Sequence, residues 1–199
     1  MLGKSELLEA IAGKNRGVLA TAEDRVAILS AIAQLEDRNP TPRPVEALDL
    51  LDGDWRLLYT SSQGLLGFER IPLLRLGQVY QCIRAPEAKV YNLAEILGLP
   101  LLEGLISVEA RFTAMTEKRV NVFFERTLIG LQRSMGYSGP ALWIEALQAG
   151  KSPFAAKIDL NPERPPGWLD ITYLDQELRI GRGNRGSVFV LTKVKSSTP

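Results

Sequence analysis

The chain changes rhythm at Pro44. Before it the apolar residues recur at helical spacing; after it they fall into nine short, β-rich runs: DWRLLYTS, LGQVYQCIR, KVYNLAEI, LISVEARFTAM, RVNVFFERTLI, FAAKIDL, GWLDITYL, ELRIGRG and SVFVLTKV. Turn residues separate many of them, and no helical pattern lies between most of them. Ile106, Val108, Ala110 and Phe112 alternate with Ser107, Glu109, Arg111 and Thr113. Val120, Val122 and Phe124 alternate with Asn121, Phe123 and Glu125. A period of two gives each strand one buried face and one wetter face. Eight or nine such strands without intervening helices predict an antiparallel sheet, and a sheet that long closes on itself because closure removes exposed edges. The expected fold is mainly β: an antiparallel barrel of eight or nine strands preceded by an N-terminal helical segment. The interior of an eight-stranded barrel is filled by side chains or holds one small ligand.

The first 44 residues are read as a unit that packs on this barrel. KSELLEAIA is a short helix and TAEDRVAILSAIAQLED a longer one, with Thr21 as N-cap and Glu23 and Asp24 in the first turn, where the helix dipole favours acids. Ala22, Val26, Leu29 and Ala33 recur at helical spacing, and Ile28, Ile32 and Leu35 widen the stripe. The polar side is mixed, which points to packing against the protein and away from a lysine-rich membrane-surface helix. NPTPRP then stops the helix with three prolines in six residues. The expected organisation is a helical segment and linker over residues 1–44, a barrel over 45–195 and a polar tail over 196–199.

Composition narrows the chemistry. The 199 residues contain no histidine and one cysteine, Cys82, with a formal net charge of +1. No internal disulfide can form, and catalysis by a histidine base, a Ser-His-Asp triad or a histidine-rich metal site is excluded. Phe123, Phe124 and Arg126 suggest base stacking on a sheet, but the even charge argues against a nucleic-acid partner. No metal and no cofactor are expected: Asp49, Asp52 and Asp54 lack calcium-loop spacing. MLGKSELLEAIAGKN lacks the apolar centre of a signal peptide, and no window reaches the roughly 18 apolar residues of a membrane helix, so membrane contact is expected to be peripheral.

Near the C-terminus, GRGNRG matches the Gly-x-Gly-x-x-Gly spacing of dinucleotide-binding loops. That motif works only between a strand and a helix whose N-terminus receives the pyrophosphate. Here SVFVLTKV follows, β-branched and aromatic, thirteen residues from Gly186 to the last residue of the sequence, Pro199. The stretch is read instead as a hairpin turning at Asn184-Arg185-Gly186, with Gly181 and Gly183 marking a bulge or close backbone approach. Arg179 lies on the opposite pleat from Leu178 and Ile180. If it faces inward, it must be paired or stacked, for instance on an indole.

Gly53-Asp54-Trp55 at the start of the first strand, with an arginine on the late strands, resembles the lipocalin signature. NPTPRP, LLDGDWRLLYTSS and ITYLDQELRIGRGNRGSVFVLTK, in that order and spacing, resemble the plastid-lipid-associated protein (fibrillin) family over nearly the whole chain. The resemblance implies a lipocalin-like barrel in an oxygenic phototroph, associated with thylakoids or plastid lipid droplets and with lipids, carotenoids or prenylquinones. It implies a cyanobacterial thylakoid setting, or a plastid for a mature plant or algal form. Gly53, Trp55, Tyr173, Asp175, Arg179 and Arg182 match the family pattern as fold residues, and the family implies no catalytic set.

Two leucine-rich stretches, Gly64–Gly77 and Ile96–Ile106, are read as caps or short helices over the core, as a lid and mouth over an apolar cavity, or as an apolar patch that dips into a membrane surface. Leu65, Leu66, Phe68, Leu101 and Leu102 are the candidate lid residues. Ile106, Val108, Phe112, Val122 and Phe124, with Val120, are candidate inward residues, as core or as pocket wall. The leading functional expectation is non-enzymatic binding of an apolar lipid, carotenoid or prenylquinone. One rival is a membrane or lipid-droplet coat acting through its outer surface. The other is a small isomerase-like barrel enzyme using the region of Asp175 and Glu177.

Overall fold

The computed structural model describes residues 3–62, 75–98, 101–151, 154–161, 165–184 and 186–195. Nine strands appear where the alternating pattern places them: β1 Gly53–Thr60, β2 Arg75–Arg84, β3 Lys89–Leu97, β4 Gly104–Ala114, β5 Arg119–Leu131, β6 Ala156–Asp159, β7 Gly167–Leu174, β8 Leu178–Gly183 and β9 Val188–Lys193. All pairings between them are antiparallel. The order β4-β3-β2-β1-β9-β8-β7-β5 closes through a β4–β5 ladder, so eight strands form a barrel. The ninth, β6, adds to the outer end of β5 through Arg126 to Ile129. Closure leaves the barrel strands no long free edge, as expected for so many consecutive strands.

Strand direction fixes the two ends. At one end lie the start of β1 and the tight connections 85–88, 115–118 and 175–177; the other end carries the longer connections. Helix α3 (Leu48–Leu51) plugs the tight end. Trp55 Nε1 donates to the Leu51 carbonyl at 2.9 Å, Lys193 Nζ donates to the Leu50 carbonyl at 3.0 Å, and Arg84 pairs with Asp54 at 2.9 Å. Gly53 holds a φ of +118°, and a Cβ there would lie 3.0 Å from Lys193 Cε, which explains a glycine at the first residue of β1.

Helices α1 (Lys4–Ile11) and α2 (Ala22–Glu36) pack outside the barrel over β1 and β7–β9. Thr21 caps α2 in a reciprocal box with Asp24. The face that packs differs from the expected stripe: Ile28, Ile32 and Leu35 are buried against Tyr59, Tyr173, Ile180 and Val190, whereas Val26 and Leu29 are exposed. Apolar residues surround much of α2, so spacing alone could not choose the contact face. Asn39 then fixes the linker to the barrel by accepting the Leu174 N–H at 3.0 Å, and Thr41 Oγ1 donates to the Leu174 carbonyl at 2.7 Å.

A second outer cover was not legible. Helix Pro140–Gln148, within the β5–β6 connection, lays Trp143 and Ile144 over Cys82, Tyr91, Leu93 and Leu105. Trp143 Nε1 donates to Ser107 Oγ at 3.0 Å. Gly139-Pro140 ahead of a Leu-Trp-Ile run was the available start signal. Cys82 beneath this helix has its thiol pushed well above the usual range, first by burial and then by the adjacent Asp54 carboxylate. Cys82 is therefore expected to resist a thiol reagent at pH 8 in the native protein and to react fully in denaturant. Native labelling at the rate of a free thiol would contradict this packing.

Candidate functional site: the barrel lumen

In an ordinary core, inward side chains are the buried ones. Over the first half of β4 the order is reversed: the outward Leu105 and Ser107 are buried under the outer helix, while the inward Ile106 and Val108 remain part-exposed, as does Phe112 beyond the buried inward Ala110. They face space. The barrel encloses a cavity of about 560 Å³, within the usual range for a small-molecule site. Of the expected inward residues, Ile106, Val108, Phe112, Val120, Val122 and Phe124 all line it, joined by Leu57, Leu169, Ile171 and Phe189 from the other strands. Phe124 is 41% exposed and Asn184 is exposed, so the lumen reaches solvent beside them. Leu51 closes the opposite end.

The glycines of GRGNRG help make this space. On β8, Leu178 and Ile180 lie beneath the N-terminal helices, so Arg179, Gly181 and Gly183 point inward and line the cavity. An irregularity in β7 between Ile171 and Tyr173 lies opposite Gly181 and Ile180. The hairpin turn is as expected: Gly183 N–H donates to the Ser187 carbonyl at 2.8 Å, and Gly186 takes a φ of +70°. Among the described residues a strand, β9, follows the turn where a dinucleotide loop would open a helix.

The other candidates separate. Leu65, Leu66 and Phe68 lie outside the described residues, as does Arg185 of the hairpin turn. Leu101 and Leu102 sit in the β3–β4 connection at the mouth end, 68% and 53% exposed, and are not part of the lumen wall. Arg182 is taken up by a two-bond contact with Glu36 at 2.8 and 2.7 Å, fastening the end of α2 to β8. Asp175 is a turn and docking residue. It accepts the N–H groups of Glu177 and Leu178, the Tyr173 hydroxyl at 2.6 Å and Lys4 Nζ at 2.6 Å.

Burial alone would raise the Asp175 carboxyl, but these four donors outweigh it and hold the group below its ordinary value. A lowered folded-state value gives stability present above the unfolded value, near 3.9, and lost as pH falls through the folded one. Asp175→Asn is expected to cost about 1–3 kcal/mol at pH 7, a gap that closes below about pH 4. Paired urea melts from pH 7 to pH 3 check this; a gap independent of pH would remove the charge from the account.

Arg179, Gln81, Asn92 and Lys193 form the polar group that sequence reasoning only half found. Arg179 is 2% exposed. Its guanidinium lies 5.1 Å from the Trp55 ring centroid, as inward placement required, and Lys193 Nζ lies 5.2 Å from the same ring. Arg179 Nη2 donates to Gln81 Oε1, and Gln81 Nε2 donates to Asn92 Oδ1 at 2.8 Å. Burial pushes the guanidinium down to about 9, so it stays charged at neutral pH.

A family model, PAP_fibrillin, matches residues 1–192. The chain belongs to the plastid-lipid-associated protein (fibrillin) family. Among curated family relatives it is 37% identical to the light-induced protein, chloroplastic, of Solanum tuberosum, over 96% of this chain and 66% of that protein, just under two thirds of its length. It is 35% identical to the probable plastid-lipid-associated protein 2, chloroplastic, of Arabidopsis thaliana, over 96% of this chain and 70% of the relative. It is 34% identical to the chromoplast-specific carotenoid-associated protein of Cucumis sativus, over 98% and 68%. No solved structure matches at a significant level.

Proposed function

We propose that this fibrillin-family barrel binds one apolar molecule, a lipid, carotenoid or prenylquinone, in its lumen, without catalysing a reaction. The observation that carries the reading is the reversed exposure of β4: apolar inward side chains left facing an open cavity of about 560 Å³. Transfer of an apolar ligand into such a space is favourable by about 25 cal/mol per Å² removed from water. The names of the relatives, plastid-lipid-associated and carotenoid-associated, support the ligand class. Their chloroplastic and chromoplastic descriptions support a plastid or thylakoid setting, with the protein attached at the membrane surface. No described helix is long and apolar enough to cross a membrane.

The test is to purify the protein from a photosynthetic host, extract it with organic solvent, and record mass and absorption spectra. A stoichiometric lipid, pigment or quinone is expected. The exposed Leu97, Leu101 and Leu102 at the mouth end favour a second reading, a coat whose outer surface touches lipid. Liposome flotation with no extractable ligand would select that reading over the first.

A further inference from the structure

Among the described residues two charged side chains are buried, and they are treated oppositely. Glu109 sits between Lys89 and Arg126, which neutralise it. Arg179 faces the lumen with no carboxylate partner among the described residues. One of its five N–H groups donates to the neutral oxygen of Gln81, and its Cζ lies 5.1 Å from the Trp55 ring centroid, an aromatic contact that supplies no negative charge. A buried cation without a counter-charge is strongly unfavourable, and here it borders the lumen cavity. The neighbouring Lys193 adds positive charge. Gln81 is held by Asn92, so the guanidinium is fixed in place before any ligand arrives.

We propose that the ligand is an amphiphile with a carboxylate head: the head enters first and meets Arg179 at the closed end, and the apolar tail runs along Val108, Val122 and Leu169 toward the mouth. A carboxylate matches the planar fork of a guanidinium through two parallel charge-assisted bonds and supplies the missing negative charge. A neutral hydrocarbon would fill the walls but leave the cation uncompensated. The inference rests on the lumen-binding reading and narrows it.

The experiment uses the full chain and cis-parinaric acid, a fluorescent carboxylate, beside its methyl ester. The acid is expected to bind the wild type at least about tenfold more tightly than the ester, the usual scale for a buried charged hydrogen bond. Arg179→Met should abolish that preference while leaving ester affinity within about threefold. Arg179→Lys, which keeps the charge without the fork, should retain a reduced preference and serves if the methionine variant does not fold. Equal binding of acid and ester by the wild type would overturn the head-group assignment and leave lumen binding standing. Failure of both probes to bind would overturn both readings. Displacement of the acid by an equal concentration of acetate would show that a bare anion suffices, and would overturn the amphiphile.

Discussion

Trp55→Ala is expected to lower stability by about 3–5 kcal/mol, since it empties a fully buried indole site. Trp55 is 0% exposed and joins three parts of the closed end: its N–H donates to Leu51 in α3, and its ring stacks near Arg179 of β8 and Lys193 of β9. Removing it leaves Arg179 buried without its aromatic cover, so the cavity loss and the loss of cation–π contact act together. For a chain of this length the change corresponds to a fall in Tm of roughly 6–20 °C. Trp55→Phe keeps a ring and forfeits the hydrogen bond, and should lose about 1–2 kcal/mol. Urea melts read the two values from the shift in midpoint at constant slope. An alanine variant within 1 kcal/mol of wild type would show that α3 and the strand ends hold the barrel shut without the indole.

The fold was legible because period-two alternation survives in the sequence whatever lies across the barrel. All nine alternating runs became strands. The same alternation cannot distinguish a filled lumen from a hollow one. Ile106, Val108 and Phe112 would read identically in either, and the difference lies in residues with no side chain, Gly181 and Gly183, and in where the outer helices sit. The pairing of Arg182 with Glu36 joins positions far apart in the chain, and no local pattern encodes it. The pleat put Arg179 opposite Leu178 and Ile180 but left open which side faces inward; only the N-terminal helices covering Leu178 and Ile180 turn Arg179 into the lumen. Its neutral partners Gln81 and Asn92 were not, since an amide on a strand carries no signal of its own.

Gly183→Leu is expected to weaken ligand binding at least about tenfold while leaving the fold intact. A Cβ at Gly183 would meet Phe189 Cε2 at 3.4 Å and the Ser187 carbonyl at 3.9 Å, both ordinary contacts, and the backbone there does not need a glycine conformation. The added side chain therefore extends into open lumen. Exclusion of a ligand from about 60 Å² of apolar wall removes about 1.5 kcal/mol of binding, which is the tenfold loss. Stability should change by less than about 1 kcal/mol, and could rise, because leucine restricts the unfolded chain more than glycine and gains apolar contact inside the barrel. Gly181 is the tighter position, with a Cβ only 3.2 Å from Leu169 Cδ1, so Gly181→Leu should disturb β7 as well as block the lumen. Titration of both methyl cis-parinarate and the acid separates volume from charge, for Gly183→Leu must weaken the two probes alike whereas Arg179→Met must weaken only the acid. If Gly183→Leu folds and binds both probes as the wild type does, the ligand sits outside the barrel, and the exposed leucines of the β3–β4 connection become the contact surface.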